Sequence, residues 1–204
     1  MQIDTRTLTP EECYRLITGA VVPRPIAWVS TLNENGTTNL APFSAFNFVC
    51  SFPLMLGFNV GRRLGLQKDT ARNIHRHGEY VVHIADELMV ESLHLSSFEH
   101  EPEVSEAELL GLETVAATSI RGNRMVAAPI AMECRLSQVL NFGSTGADFM
   151  VGEVLLVHVR DGLYKDGKID SNDLRPLCRL AGPNYAGLGK IYAMKPVSNL
   201  PGGG

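Results

Sequence analysis

Short runs of strand-forming residues separated by turn signals are the feature of this sequence that most constrains its fold. Residues 26–32 are rich in β-branched and aromatic side chains, and residues 33–36 end in an Asn-Gly pair that favours the positive φ of a hairpin turn. The return strand is predicted at 37–41. Further strands are predicted at 54–60 and 79–85, from residue 130 onward, and at 151–159. With 19 glycines and 11 prolines to supply turns, the chain favours short strands over a helical bundle.

Three helices are predicted among these strands. Residues 9–18 begin with Thr9 as a cap and continue as Pro10-Glu11-Glu12, which is typical of a first helical turn. The other two helices are predicted at 69–77 and at 87–96, the last with Asp86 as its cap. Because helices and strands do not alternate regularly, the βαβ pattern of a parallel sheet is absent. The sequence therefore predicts a mainly β fold, an antiparallel barrel with peripheral helices.

The length and charge of the chain limit its organisation and its partners. At 204 residues we expect a single domain over 1–204, with a flexible tail from about 196 to 204. The 18 basic and 22 acidic residues give a net charge of −4, which argues against a nucleic-acid or anionic-membrane surface. No segment approaches the roughly 20 apolar residues of a membrane span, and the N-terminus lacks a signal-peptide stretch. We therefore expect a cytoplasmic protein with no nucleic-acid or membrane partner.

Several familiar catalytic and metal-binding patterns are absent from the sequence. The four cysteines are isolated from one another, so neither a zinc site nor a redox dithiol is predicted, and reduced buried thiols are favoured. His75 and His77 are two residues apart and would point in different directions on a helix. The GxSxG, HExxH, Walker A and Rossmann patterns do not occur. We predict no metal site.

The first candidate for ligand binding is a group of small polar residues at strand ends. Ser30 and Thr31 are followed by residues 39–47, which add further hydroxyl and amide side chains. Such groups can donate to a phosphate or to the polar edge of a planar ligand. The alternative is a hairpin rim in which serine, threonine and asparagine are present because they suit turns.

The second candidate is residues 68–74, where Asp69 or Thr70 is predicted to cap a helix. The free N–H groups and the dipole at such a helix start favour an anion, and Lys68 lies just ahead. The alternative is an ordinary capped surface helix with solvated charges. Arg62 and Arg63 extend the basic character of this segment within an acidic protein, which favours an anionic ligand.

The amino-acid sequences of several segments resemble those of the flavin reductase-like, FMN-binding split-barrel family. The resemblance is carried by residues 22–31, 39–47 and 68–74, and it continues through 78–82, 152–154 and 179–185, so it covers nearly the whole chain. It implies a six-stranded antiparallel FMN-binding split barrel. It also implies a homodimer in which non-covalent FMN lies near the subunit interface.

The resemblance also assigns nine cofactor-binding residues in this chain. Ser30, Thr31, Lys68 and Thr70 would address the phosphate and ribityl end of FMN, with Asp69 in the same segment and Arg24 as a further candidate for the phosphate. Ser44 and Asn47 would border the isoalloxazine edge. Tyr185 would pack near the flavin or close the pocket.

The function implied by the resemblance is an FMN-binding oxidoreductase, namely an NAD(P)H:flavin reductase that supplies reduced flavin to a partner monooxygenase. Because the flavin N5 itself carries the hydride, no protein acid or base is required and no catalytic residue is assigned. Two alternatives stay open: an FMN-binding electron carrier or redox sensor without nicotinamide turnover, and a self-contained FMN-dependent reductase or oxygenase of a small aromatic substrate. The sequence has no distinct nicotinamide-binding motif, and residues 181–183 read Ala-Gly-Pro where the family often has Gly-Gly.

Overall fold

The protein is built on one seven-stranded antiparallel sheet, as seen in a computed structural model that describes residues 1–144 and 146–194. Its strands are β1 Ala27–Leu32, β2 Thr38–Phe43, β3 Phe46–Ser51, β4 Leu54–Val60, β5 Glu79–Ile84, β6 Ile130–Phe142 and β7 Ala147–Val159. They lie across the sheet in the order β2-β1-β5-β6-β7-β4-β3. The predicted mainly β, antiparallel fold is confirmed.

The sheet curls because its two edge strands are neighbours in the chain. Only Ser44 and Ala45 separate β2 from β3, although these strands lie at opposite edges. The Asn59 N–H on β4 donates to the Ala45 carbonyl at 2.9 Å and holds the link in place. Within the described residues no ladder of hydrogen bonds joins the two edges, so the sheet forms a split barrel. The expected six strands become seven because residues 46–51, interpreted from sequence partly as a polar rim, form the edge strand β3.

Within residues 1–144 and 146–194, five α-helices surround the sheet. They are α1 Pro10–Ala20, α2 Asp69–His77, α3 Val90–Leu95, α4 Glu106–Leu109 and α5 Ser171–Leu174. Thr9 and Glu12 form a capping box at the start of α1, so the predicted cap at Thr9 is confirmed. The helix predicted at 87–96 is divided into a 3₁₀ turn at Glu87–Met89 and α3, with Asp86 as the predicted cap. None of the helices within the described ranges is long and apolar enough to cross a bilayer.

Short strand pairs complete the structure. Arg24–Pro25 pairs with Cys178–Arg179, which in turn pairs with Tyr185–Ala186. The remaining pairs are Arg62–Arg63 with Leu66–Gln67, Thr114–Ala116 with Asn123–Met125, and Tyr164–Lys165 with Lys168–Ile169. The tail predicted at 196–204 lies outside the described residues.

Both faces of the central strands are buried. On β1, Ala27 and Val29 belong to the cluster inside the barrel, whereas Trp28 belongs to a second cluster that includes Leu93 of α3. β6 likewise buries both faces from Ile130 to Cys134, where the sequence predicted one buried face. α2 packs into the barrel cluster through Ala71 and Ile74, which places its first turn at the open edge of the sheet.

Candidate functional site

A cavity of about 660 Å³ opens beside the edge strand β2 and its link to β3. This volume lies within the range of roughly 300–1,000 Å³ that is common for small-molecule sites. Its walls come from α1, β2, the segment leading into α2, the loop at 96–102 and the C-terminal segment near 179–182. Five of the nine predicted site residues line it: Arg24, Ser44, Lys68, Asp69 and Thr70.

The start of α2 forms a basic end of this cavity. Lys68 is the N-cap residue and no side-chain oxygen caps the helix, so the cap predicted at Asp69 or Thr70 is wrong. Asp69 instead accepts from Arg72 at 2.7 Å. The NH2 nitrogen of Arg72 is buried without a hydrogen bond, and a carboxylate oxygen of Glu103 lies 3.5 Å from it. The free N–H groups and the dipole at the start of α2 favour an anion.

Lys68 adds a cation to the same end. Among residues 1–144 and 146–194 it enters no ion pair, whereas the neighbouring Arg62, Arg63 and Arg72 each pair with a carboxylate. Its side chain is exposed to the cavity. The ammonium is therefore available to a ligand.

Thr31 lies behind the cavity wall in a buried network. Its Oγ1 accepts from Asn39 Nδ2 at 3.0 Å and from Asn73 Nδ2 at 3.1 Å, and Asn39 Nδ2 also donates to Thr70 Oγ1 at 3.0 Å. These bonds join β1, β2 and α2. Ser30 is also buried, and its hydroxyl donates to the Asn123 carbonyl at 2.7 Å. The structure therefore does not bring Ser30 and Thr31 to the cavity surface.

Arg24 reaches the cavity but is already engaged by the protein. Its guanidinium donates to the carbonyls of Thr18 at 2.7 Å, Val21 at 2.6 Å and Leu180 at 3.0 Å. Nε lies 3.4 Å from Ser44 Oγ. Arg24 thus joins the end of α1 to the C-terminal segment and to the link between the edge strands.

Asn47 and Tyr185 do not line the cavity. Asn47 is exposed on β3, where its side-chain oxygen accepts from the Phe48 N–H at 2.9 Å. The Tyr185 hydroxyl accepts from Arg179 at 2.6 Å, and the guanidinium lies 4.6 Å from the ring centroid. Burial raises the pKa of Tyr185, with Arg179 opposing the shift. Tyr185 therefore holds Arg179, which does line the cavity.

The mouth of the cavity combines an ion pair with apolar groups. Arg63 pairs with Glu99 on the facing loop at 2.8 Å. Leu64 forms the tip between them, 94% exposed and with φ at 48°, and Phe98 lies on the facing loop. No sequence pattern assigns a role to Phe98 or Arg179, although Arg179 lies within a segment that carries the resemblance.

Glu106 is the buried acid of the cavity. Burial raises its pKa, and a hydrogen bond from the Leu40 N–H, 2.8 Å long, opposes the shift. This bond ties α4 to β2, so Glu106 supports the cavity wall. Among the described residues no group of three His, Cys, Asp or Glu side chains is arranged to hold a metal ion.

The curled antiparallel sheet, with the start of α2 beside its open edge, has the split-barrel architecture. Residues 19–173 match the family described as the flavin reductase like domain. The chain belongs to this family, and it is a flavin-related oxidoreductase.

Three known proteins illustrate the relationship. An uncharacterized protein of Halalkalibacterium halodurans is 41% identical over 199 residues, which cover 95% of each chain. Nitrilotriacetate monooxygenase component B from Bacillus cereus is 36% identical with a TM-score of 0.92, and the match covers 95% of this chain and 98% of that one. The 2-nitrobenzoate 2-nitroreductase NbaA of Pseudomonas fluorescens is 33% identical with a TM-score of 0.89 over 100% of both chains.

Proposed function

We propose that this protein is an FMN-dependent NAD(P)H:flavin reductase that supplies reduced flavin to a partner monooxygenase. The observation that carries the proposal is the basic end of the cavity, where the start of α2, which no side chain caps, meets Lys68, which enters no ion pair in the described residues. A terminal phosphate fits this donor set. The similarity to a monooxygenase component B supports the partner.

The residues around the cavity would divide the binding of FMN between them. Lys68, Thr70 and the first N–H groups of α2 would hold the phosphate, with Asp69 orienting Arg72. Arg24 would hold Ser44 beside the ring edge, and Tyr185 would act through Arg179. Ser30 and Thr31 would support the site from behind. When bound, the flavin supplies the hydride chemistry, so the protein contributes binding and orientation.

Anaerobic absorbance spectroscopy tests this function. Purified protein is mixed with FMN and then with one equivalent of NADH or NADPH. Rapid bleaching of the flavin with either nucleotide is the expected result. A bound flavin that stays oxidised with both nucleotides and responds only to a chemical reductant would contradict the reductase and favour an electron carrier.

A second candidate is an FMN-dependent reductase that acts on a small aromatic substrate itself. The similarity to 2-nitrobenzoate 2-nitroreductase over the whole of both chains favours it. The apolar mouth with Leu64 and Phe98 suits a planar ring. Multiple turnovers of a nitroaromatic acid under anaerobic conditions, without a second protein, would support this candidate. Nucleotide oxidation that proceeds equally with and without the aromatic acid would favour the flavin reductase.

We also propose that the protein is a homodimer with FMN near the interface. The edge strand β3 exposes apolar side chains, with Phe48 68% exposed, and Phe52 beyond it is 94% exposed. An exposed apolar edge of this kind is a surface for pairing. α1 likewise exposes Tyr14 and Ile17, and Tyr14 also lines the cavity. A second copy would therefore cover apolar surface that adjoins the site.

A further inference from the structure

Asp148, on β7, is a buried carboxylate that lies outside the cavity and contacts the hairpin at its edge. We call residues 61–68 the cavity hairpin. Only 2% of Asp148 is exposed. Its Oδ1 accepts from Arg62 NH2 at 2.9 Å and from Asn141 Nδ2 at 2.7 Å, and its Oδ2 accepts from Gln67 Nε2 at 3.2 Å.

We propose that Asp148 is a positioning residue for the phosphate-binding end of the cavity, an inference that rests on the proposed FMN-binding function. Arg62 and Gln67 face each other across the two strands of the cavity hairpin, so one carboxylate holds both strands. Gln67 immediately precedes Lys68, the N-cap of α2. His75, on α2 itself, places Nε2 3.3 Å from Asp148 Oδ2. The carboxylate therefore contacts the chain on both sides of the phosphate site.

The cavity hairpin depends on these side-chain contacts because it has little backbone pairing of its own. Each of its strands is two residues long, and its tip, Leu64-Gly65, has positive φ at both positions. Arg62 adds a second tie, since its Nε donates to the Gly146 carbonyl at 2.7 Å. Both ties fix the base of the hairpin to β7 and the segment before it. The direction in which Lys68 leaves the hairpin follows from them.

Replacement of Asp148 by asparagine removes the charge and turns one acceptor oxygen into a donor. In the unaltered protein each carboxylate oxygen of Asp148 accepts from two donor groups. An amide nitrogen at either position would therefore face other donors. The hairpin base would lose hydrogen bonds while the rest of the cavity kept its contacts. The loss of affinity should therefore come from the contacts to the phosphate of the ligand.

Titration with FMN and with riboflavin, which lacks the phosphate, tests this assignment. In Asp148→Asn we expect the affinity for FMN to fall by about tenfold or more, and that for riboflavin to change by less than about threefold. Glu133→Gln is the matched control. Glu133 is a fully buried carboxylate on β6 that accepts from the Thr118 N–H and from His158, and neither of these lines the cavity. The Glu133→Gln variant should leave the ratio of the FMN and riboflavin affinities unchanged.

The outcomes separate the positioning role from the proposed function. If the unaltered protein binds riboflavin as tightly as FMN, the phosphate placement fails, and the positioning role fails with it. If the unaltered protein favours FMN but Asp148→Asn keeps that preference, or weakens both flavins equally, only the positioning role is overturned. Should Asp148→Asn not fold, Arg62→Met decides by the same ratio, because Arg62 is partly exposed and does not line the cavity.

Discussion

Lys68 and Thr70 are the residues on which the phosphate placement depends most directly. Lys68 is free of ion pairs within the described ranges, and Thr70 Oγ1 accepts from Asn39, which leaves the hydroxyl hydrogen to donate. Charge-assisted hydrogen bonds of this kind contribute about 1.5–3 kcal/mol each. The double variant Lys68→Ala/Thr70→Ala should therefore lose roughly a hundredfold or more in FMN affinity, measured by flavin fluorescence titration.

Lys165→Ala is the control for that measurement. Lys165 pairs with Asp173 at 3.0 Å on the surface and does not line the cavity, so its loss changes the net charge by one without touching the site. FMN affinity should stay the same in this variant. Equal losses in both proteins would show that only long-range charge matters, and an unchanged double variant would refute the phosphate placement.

Gly152 and Tyr80 illustrate how closely the barrel interior is packed. A Cβ at Gly152 would collide with the Tyr80 hydroxyl and lie 2.8 Å from its Cζ. We expect Gly152→Ala to lower the free energy of unfolding by about 1–3 kcal/mol, because overpacking displaces the ring. The Tyr80 hydroxyl has no hydrogen-bond partner in the described structure, so Tyr80→Phe should cost little.

A double-mutant cycle by urea unfolding measures the coupling between these two positions. Gly152→Ala should cost less in the Tyr80→Phe background than in the unaltered protein, since the colliding oxygen is gone. Equal costs in the two backgrounds would show that the strain at Gly152 comes from atoms that both proteins share, namely Cζ of the ring at 2.8 Å and the Arg135 carbonyl oxygen at 3.0 Å.

His83 connects three elements and makes their association sensitive to pH. From β5 its Nδ1–H donates to the Trp28 carbonyl at 2.9 Å, and its Nε2 accepts from the Met125 N–H at 3.0 Å. Burial lowers the pKa of His83 from 6.5 to about 4, against the opposing effect of the bond to Trp28. The folded state therefore holds the neutral ring, whereas the unfolded chain binds a proton below pH 6.5.

Stability should consequently fall as the pH drops from 6.5 towards 4, by roughly 1.4 kcal/mol per pH unit from His83 alone. Above pH 6.5 the contribution of this residue is constant. The measurement is the free energy of unfolding from pH 8 to 4.5 for the unaltered protein, His83→Gln and the exposed His100→Gln. The unaltered protein and His100→Gln should share one slope of unfolding free energy against pH, and His83→Gln should have a smaller slope. A common slope for all three proteins would contradict the role of His83.

Elements with a strong local pattern could be predicted from the sequence, and those set by distant contacts could not. The bounds of β4 and α2 match the structure because a continuous apolar run and a polar helix ended by Gly78, with φ at 68°, are local signals. The sequence does not predict β3, since its exposed side chains give no alternation between a buried and a solvent face. The ties of Asp148 span more than 80 residues to Arg62 and Gln67, and no local pattern indicates them.

The same distinction applies to the candidate site. The sequence predicts a helix start within 68–74, and α2 does begin at Asp69, although its N-cap is Lys68. Ser30 and Thr31 belong to the sequence pattern that predicts the site, but they are buried behind the cavity wall, because β1 lies between β2 and β5 and is buried on both faces. Only the order of the strands, which curls β2 towards β3, decides which hydroxyl groups meet the cavity.

At the scale of the whole molecule, the apolar surface is concentrated in features that one subunit leaves uncovered. No residue of α1 is buried, although Leu16 and Ile17 are apolar, and β3 carries Phe48 and Val49 on an exposed edge. A stable dimer buries about 800 Å² on each partner, and apolar residues at its centre provide most of the affinity. The exposed edge strand and α1 together offer this kind of surface.

Phe52→Asp tests whether that surface is the dimer interface. Phe52 is 94% exposed in the single chain, so a charge there should leave the fold of one subunit intact. In a dimer the same charge would be buried without a partner, which costs several kcal/mol and favours dissociation. Light scattering should give about twice 22.3 kDa for the unaltered protein and about 22.3 kDa for Phe52→Asp.

The matched control is Leu88→Asp, at a residue 86% exposed elsewhere on the surface, which should stay dimeric. A monomeric unaltered protein would exclude an interfacial flavin, whereas a dimer that persists in Phe52→Asp would place the interface on another face.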